Sequence, residues 1–276
     1  MHEKHAEPDK NSKQYMNKIT SMFLHRNGEK GGLLSLYFCA GSTSADDTAR
    51  IILTLQRRGI SMIEVGIPFS DPLADGPVIQ TASTRALRNG MSLRLLFSQL
   101  KEIKSQVSIP LILMGYLNVV MHYGFEAFFS SCRESGVSGV IIPDLPFDEY
   151  LKSIKPLSLK YDVKVVMMIT PETSAERIRQ IDNETDGFIY MVSSASTTGA
   201  QQSFDEAKSE YFSRVNAMGL KTPRMIGFGI SNPQTLQTAL RHADGAIVGS
   251  KFVSLLGETL DADKAVTRLY KELGVV

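Results

Sequence analysis

The sequence predicts a single-domain (β/α)8 barrel, in which eight parallel strands form a closed sheet with helices around it. The chain has 276 residues and is 43% hydrophobic, which suits one barrel core. Short apolar runs alternate with helical patterns eight times, and no shift in composition marks a domain boundary. A doubly wound open sheet would show the same alternation and remains the structural alternative.

The chain begins with a polar segment. Residues 1–15 mix both charges without an apolar run, so we expect a mobile extension rather than a secretory signal, followed by a barrel domain of residues 16–276. Residues 16–25 have apolar side chains at helical spacing. They predict an extra N-terminal helix lying across one end of the barrel.

Strands and helices then alternate. The first strand is predicted at residues 33–40, Ser44 and Asp47 resemble a capping box at the start of the next helix, and Gly59 predicts its end. The other strands are predicted at residues 62–67, 111–115, 139–142, 164–170, 187–192, 224–229 and 245–248. The other helices are predicted at residues 78–88, 92–106, 124–135, 147–161, 174–184, 204–218, 233–242 and 262–273.

Charge and cysteine content argue against several classes of protein. There are 30 Lys and Arg against 29 Asp and Glu, so the net charge of +1 gives no electrostatic reason to expect nucleic acid or an anionic membrane. No apolar run is long enough to span a membrane. Cys39 and Cys132 lack metal-ligand spacing, so we expect free thiols in a reducing compartment and a cytoplasmic protein.

One strand carries a carboxylate among apolar residues. Residues 62–76 read MIEVGIPFSDPLADG. Side chains alternate along a strand, so Ile63 and Val65 face one way and Glu64 faces the other. Burying a carboxylate is costly, which favours a functional role for Glu64 over a structural ion pair.

The loop after this strand carries further carboxylates. Pro68 and Pro72 end the strand and stiffen the loop, which brings Asp75 toward the space that Glu64 faces. Two carboxyl groups in different surroundings can serve as acid and base. Taken singly, Asp71 and Asp75 are also typical turn residues.

Glycines at three strand ends predict an anion site. Gly227 and Gly229 end the seventh strand, Gly249 ends the eighth, Ser250 opens a short helix, and Gly199 follows the sixth strand. Glycine allows backbone to approach a ligand closely, and the N–H groups of such loops and helix starts bind anions. Each glycine alone is more often a plain turn, but together they favour phosphate, which barrels often bind after strands seven and eight.

These motifs together resemble the tryptophan synthase alpha subunit family, from about residue 33 to residue 276. Besides residues 62–76, the matching motifs, in the family's order, are Tyr116-Leu117-Asn118, Asp144-Leu145-Pro146, Thr198-Gly199, Gly227-Phe228-Gly229-Ile230-Ser231 and Gly249-Ser250. The chain departs from the family at Ser42-Thr43, where an Asp-Pro pair is usual. It also departs at residues 194–197, where an arginine and a glycine are frequent.

The resemblance implies a retro-aldol reaction that cleaves 1-(indol-3-yl)glycerol 3-phosphate into indole and glyceraldehyde 3-phosphate, the penultimate step of L-tryptophan biosynthesis. Glu64 would protonate indole C3 and Asp75 would accept the N1 proton, while the glycerol hydroxyl proton goes to Glu64 or to water. No metal or cofactor is implied in this chain. The residues at or beside strand ends that we expect to line an apolar pocket are Tyr37, Phe38, Ile79, Met114, Tyr190, Thr198 and Phe228.

The resemblance also implies a partner, the pyridoxal-phosphate-dependent beta subunit, in an alpha2-beta2 tetramer. The candidates for that interface are Pro68, Asp71, Pro72, Asn118, Asp144 and Pro146. Ordinary loop capping explains Asn118 and Asp144 equally well. Two other classes remain open: a solitary lyase or another phosphosugar-handling barrel, and a catalytically silent barrel kept as a binding module. The presence of both Glu64 and Asp75 speaks against a silent barrel.

Overall fold

The structure, a computed structural model, describes residues 16–25, 32–193 and 206–275. Eight parallel strands form a closed barrel in sequence order, and the last strand pairs with the first. This confirms the predicted (β/α)8 barrel and excludes the open sheet. The extension predicted at residues 1–15 lies outside the described residues.

All eight predicted strands are present, and most are one or two residues shorter than predicted. They are β1 Leu33–Cys39, β2 Met62–Gly66, β3 Leu111–Met114, β4 Gly139–Ile141, β5 Lys164–Ile169, β6 Ile189–Val192, β7 Arg224–Gly227 and β8 Gly245–Val248. Tyr37 of β1 stands beside Glu64 of β2, which fixes the register at the start of the barrel.

The helices surround the sheet. They are α1 Lys18–His25, α2 Thr48–Arg57, α3 Pro77–Arg88, α4 Leu93–Ile103, α5 Leu117–Tyr123, α6 Phe125–Ser135, α7 Phe147–Glu149, α8 Lys155–Tyr161, α9 Ala175–Glu184, α10 Glu206–Asn216, α11 Pro233–His242, α12 Ser250–Thr259 and α13 Ala262–Leu273. A π-helical segment, Tyr150–Ile154, joins α7 to α8, so the single helix predicted over residues 147–161 has three parts.

Two local predictions were wrong. The capping box does not form, because α2 begins only at Thr48 and the Asp47 side chain pairs with Arg50 at 2.8 Å instead of capping the helix. No helix was predicted at α5, whose seven residues are too few for a helical pattern to stand out. The end of α2 was predicted correctly, since Gly59 has a φ of +80°, which favours glycine.

Apolar side chains fill both faces of the sheet. Between strands and helices lies a large outer layer, and inside the barrel lies a smaller one that includes Met62, Ile112 and Met225. Fully burying an aliphatic side chain of this size contributes roughly 1.5–3 kcal/mol, so these layers hold the barrel together.

The extra helix α1 closes one end of the barrel, as predicted. Ile19 is fully buried within the inner layer. The Asn17 side-chain amide donates to the carbonyl oxygens of Ser138 and Asp162 at 3.0 and 2.9 Å, just before β4 and β5 begin. The helix therefore covers the end where the strands start, and the opposite end is left for a site.

Cys39 and Cys132 are free and buried, and burial raises the pKa of both thiols. Among the residues that the structure describes, no helix has the length and apolar character needed to cross a membrane. The described ranges also hold no cluster of three His, Cys, Asp or Glu side chains that could bind a metal ion.

Candidate active site

A cavity of about 250 Å³ opens at the end of the barrel where the strands finish. Both predicted carboxylates, Glu64 and Asp75, line it. Gly229, Gly249 and Ser250 line it as well. The loops after β2, β7 and β8 therefore meet around one space, as expected where parallel strands end in a barrel.

Glu64 belongs to a strand in which every residue is buried. Its side chain is 1% exposed, and its Oε1 atom has no hydrogen-bond partner among the described residues. Burial raises the pKa of Glu64 to about 8, a rise that the nearby Ser35 hydroxyl opposes. The carboxyl group is thus largely protonated at neutral pH, which suits a general acid.

Asp75 is held from several sides. Its backbone N–H donates to the Pro72 carbonyl at 3.0 Å, and the Gln80 side chain donates to the Asp75 carbonyl at 2.8 Å. The Tyr116 hydroxyl donates to Asp75 Oδ2 at 2.9 Å. Burial raises the pKa of Asp75, and the hydrogen bond from Tyr116 opposes that rise because it stabilises the carboxylate.

Tyr116 is a site residue that sequence reasoning missed. Its hydroxyl also accepts a hydrogen bond from the Ala74 N–H at 3.0 Å, so one phenol holds both Asp75 and the residue before it. The only sequence signal for Tyr116 was the Tyr116-Leu117-Asn118 motif after β3. That motif does not indicate a hydrogen bond to Asp75, which is 41 residues away.

The loop between β2 and α3 forms hydrogen bonds with α3. The Ser83 hydroxyl accepts from the Phe69 N–H and donates to the Phe69 carbonyl, both at 2.8 Å. The Phe69 ring lies 5.2 Å from the Tyr116 ring. These contacts make the loop a firm support for Asp75.

Two tyrosine side chains in the cavity wall pack directly against glycines. A Cβ atom at Gly66 would come within 2.1 Å of the Tyr37 hydroxyl, and one at Gly227 within 2.0 Å of the Tyr190 hydroxyl. Tyr190 in turn meets Phe228 edge to face, with ring centroids 5.8 Å apart. Glycine at these strand ends therefore leaves the space that each phenol ring occupies beside the cavity.

Five of the seven predicted pocket residues line the cavity, namely Tyr37, Ile79, Met114, Tyr190 and Phe228. Phe38 was predicted wrongly, because it follows Tyr37 on β1 and points the other way, into the outer layer. Thr198 lies outside the described residues. Residues that sequence reasoning missed in the lining include Val78, Ser231 and Ser254.

The glycine loops after β7 and β8 also line the cavity. Phe228 and Gly229 both have positive φ angles, +68° and +78°, so the chain turns sharply after β7. Gly249 directly precedes the ten-residue α12, whose first residue is Ser250. Lys251 also lines the cavity, but its ammonium group forms an ion pair with Glu272. Gly199 lies outside the described residues.

The predicted interface residues lie around this opening, with one exception. Asp71, Asn118, Asp144 and Pro146 are exposed and Pro72 is half-buried. Pro68 is buried, because it directly follows the strand. Its prediction as an interface residue was wrong.

Two of these residues also have local roles. Asp144 Oδ1 accepts a hydrogen bond from the Leu117 N–H at 2.8 Å, so it caps α5. Asn118 lies in the first turn of α5 rather than in a loop.

Comparison with known proteins gives a consistent result. The sequence profile described as tryptophan synthase alpha chain matches residues 23–274. The tryptophan synthase alpha chain of Parabacteroides distasonis is 59% identical, covering 94% of this chain and 99% of the relative. That of Bacteroides thetaiotaomicron is 58% identical, covering 92% and 98%.

Solved structures agree with these relatives. The tryptophan synthase alpha subunit of Legionella pneumophila has a TM-score of 0.84 at 30% identity, covering 94% of this chain and 97% of the other. A chain of the tryptophan synthase complex of Pyrococcus furiosus has a TM-score of 0.80 at 32% identity, covering 89% and 98%. The chain therefore belongs to the tryptophan synthase alpha chain family, whose members are lyases of L-tryptophan biosynthesis.

Proposed function

We propose that Glu64 and Asp75 are the acid and the base with which this lyase cleaves 1-(indol-3-yl)glycerol 3-phosphate into indole and glyceraldehyde 3-phosphate. One observation carries the proposal: the two carboxyl groups line the same cavity as the glycines after β7 and β8 and the start of α12. A carboxyl pair suits proton transfer, and the backbone end suits a phosphate.

The reaction needs one proton added at indole C3 and one removed from the glycerol hydroxyl, and a proton that leaves N1 returns to it when the carbon–carbon bond breaks. Glu64 donates a proton to indole C3, which makes that carbon tetrahedral. The ring then has iminium character and its N1 proton becomes acidic, so Asp75 accepts that proton or holds it in a hydrogen bond. The bond between C3 and the glycerol carbon breaks and its electron pair returns to the ring. Asp75 gives the proton back to N1, so that indole leaves as a neutral molecule, and the glycerol hydroxyl loses its proton to Glu64 or to water.

The two carboxyl groups differ in the way that these roles require. Glu64 has no hydrogen-bond donor of ordinary geometry on its Oε1 among the described residues, and its pKa of about 8 keeps a proton available. Asp75 receives a hydrogen bond from Tyr116, which favours the ionised form. The indole ring itself takes up the electron pair, so we expect no cofactor in this chain.

The substrate phosphate is proposed to bind the N–H groups of Gly229, Gly249 and Ser250. The start of α12 places the positive end of a helix dipole at this wall, and anions are favoured there. Gly199 is proposed as a further contact on sequence grounds alone. The indole ring would then lie among Tyr37, Tyr190 and the other apolar walls.

A single-turnover assay with indoleglycerol phosphate tests the assignment of Glu64. We expect Glu64→Gln to release indole about 10²-fold more slowly, because the amide cannot donate an acidic proton. Binding of glycerol phosphate should be unchanged, since Glu64 is not among the proposed phosphate contacts. Glu102→Gln, at an exposed position on α4, is the matched control.

Two outcomes would contradict the proposal. If the wild type formed no indole, with or without a partner, the silent-barrel reading would replace it. If Glu64→Gln retained full activity, the acid would have to be another group.

We also propose that this chain works with a pyridoxal-phosphate-dependent beta subunit in an alpha2-beta2 tetramer. The rim beside the cavity supports a partner surface, because Leu73 is 87% exposed and Met121 59% exposed, both close in sequence to site residues. The Pyrococcus furiosus relative was solved as a tryptophan synthase complex. Buried free thiols at Cys39 and Cys132 support a reducing, cytoplasmic location.

Co-purification with a beta subunit tests the partnership. We expect the wild type to bind the beta subunit and to release indole faster when bound, and Leu73→Asp to weaken that binding while the isolated chain keeps its basal rate. An isolated chain that neither binds a beta subunit nor responds to one would instead be the solitary lyase.

A further inference from the structure

Two buried polar atoms lie on neighbouring strands beneath the cavity without a hydrogen-bond partner among the described residues. One is Oε1 of Glu64 and the other is Oγ of Ser35, which is fully buried. Each unpaired buried hydroxyl or carboxyl oxygen lowers the stability of the folded state by roughly 1–3 kcal/mol. Such atoms are rare in native proteins, and two on neighbouring strands indicate a functional role.

The strand register brings the two side chains together inside the barrel. Tyr37 stands beside Glu64 and Ser35 stands beside Met62, one step nearer the closed end. Ser35 shares its face of β1 with Tyr37, which lines the cavity, and with Leu33, which packs on the inner layer. The Ser35 hydroxyl therefore lies just below the Glu64 carboxyl group.

The two groups act on each other without forming a hydrogen bond of ordinary geometry. The Ser35 hydroxyl opposes the rise in the pKa of Glu64 that burial causes. A small rotation of either side chain, or one water molecule between them, would satisfy both atoms. A serine hydroxyl donates to a carboxylate and accepts from a carboxylic acid, so it can serve Glu64 in both protonation states.

We propose that Ser35 is a positioning residue for Glu64: its hydroxyl binds Oε1, directly or through one water, and leaves the other carboxyl oxygen to face the substrate. This rests on the proposed role of Glu64 as the acid. Without the hydroxyl, the carboxyl group can rotate, and the fraction of molecules that present an oxygen correctly to indole C3 falls.

Ser35 also lowers the pH at which Glu64 ionises. The other titratable groups around this carboxyl are Tyr37 from β1, Asp75 from the loop after β2 and Tyr190 from β6, with Lys251 of α12 lining the same cavity. Burial raises the pKa of both phenols well above the usual value, so neither phenol ionises near neutral pH. A charged Asp75 favours the protonated form of Glu64, and the Ser35 hydroxyl is the opposing influence.

Four variants of the full chain test the proposal. Ser35→Ala removes the hydroxyl, while Ser35→Thr and Ser35→Val have nearly the same shape and differ in whether a hydroxyl is present. Thr48→Val removes another fully buried hydroxyl without a described partner, in α2 and away from the cavity, and is the control. Circular dichroism verifies that each variant is folded.

The measurements are kcat, KM and the titration of Glu64 itself, followed by NMR on protein labelled with 13C at the glutamate carboxyl carbon and assigned with Glu64→Gln. In Ser35→Ala we expect kcat to fall about tenfold with KM unchanged, the effect of losing one hydrogen bond. The Glu64 titration should move up by about one pH unit. Ser35→Val should behave like Ser35→Ala, Ser35→Thr should restore both values, and Thr48→Val should change neither.

The proposal is overturned if Ser35→Ala leaves kcat and the Glu64 titration unchanged, or if the Thr and Val variants are impaired equally, which would show a packing role. If Ser35→Val does not fold, the comparison of Ser35→Ala with Ser35→Thr decides. Failure of the proposed function would give a different result, because Glu64→Gln would then remain active whatever the effect of substitutions at Ser35.

Discussion

Glu64→Gln should make the protein more stable as well as less active. The pKa of Glu64 is about 8 in the folded chain and 4.5 in its ordinary environment, so between these values the folded state holds a proton that the unfolded state has lost. The folding stability linked to this group is complete below about pH 4.5 and is lost as the pH rises through about 8. Glutamine resembles the neutral acid at every pH and escapes that loss.

The magnitude follows from the interval between the two pKa values. From 4.5 to about 8 is about 3.5 pH units, and each unit corresponds to about 1.4 kcal/mol, which gives at most about 5 kcal/mol. Local relaxation and water entry reduce such penalties, so we expect the variant to gain about 2–5 kcal/mol over the wild type at about pH 9. At about pH 5 the two proteins should agree within about 1 kcal/mol.

Urea unfolding of the wild type and Glu64→Gln across this pH range measures the difference directly, because titrations common to both proteins cancel. Glu102→Gln, at an exposed position, is the matched control. A stability difference between Glu64→Gln and the wild type that stays constant with pH would refute the reasoning.

Two further substitutions probe how the site is held. Tyr116→Phe removes a hydrogen bond that is worth roughly 1.5–3 kcal/mol to a charged carboxylate and about 1 kcal/mol to a neutral acid. The pKa of Asp75 should rise and the acidic limb of the kcat/KM profile should move up by about one pH unit; Tyr123→Phe, whose hydroxyl meets Ser131, is the control. Gly227→Ala should displace the Tyr190 ring and lower kcat/KM more than tenfold, with a stability loss of roughly 1–3 kcal/mol, whereas Gly257→Ala, facing only the flexible tip of Arg85 at 3.2 Å, should keep normal activity.

The sequence predicted the barrel and the direction of Glu64 because both depend on periodicity along the chain. Alternating side chains place Glu64 inside the barrel. The same rule separates Tyr37 from Phe38, its neighbour on the strand, whereas their shared position near a strand end does not. Periodicity predicts the side of a strand on which a residue lies, because that side depends only on the positions of its neighbours along the chain.

Contacts between distant parts of the chain were beyond that reasoning. The hydrogen bond of Tyr116 to Asp75 joins the ends of two strands and depends on the register of β2 with β3. The burial of Pro68 depends equally on neighbours that are remote in sequence. The seven-residue helix α5 was missed because so short a segment owes its form to tertiary contacts, including the cap from Asp144.

Helix α1, which closes one end of the barrel, affects how Glu64 exchanges its proton with water. Ile19 and the apolar inner layer lie between the closed end of the barrel and Glu64. We therefore expect Glu64 to exchange its proton with bulk water through the cavity by which the substrate enters. Once an indole ring fills that cavity, Glu64 is shielded from bulk water and exchanges protons with the substrate instead, so each catalytic cycle begins with the protonation state that Glu64 had when the ligand arrived.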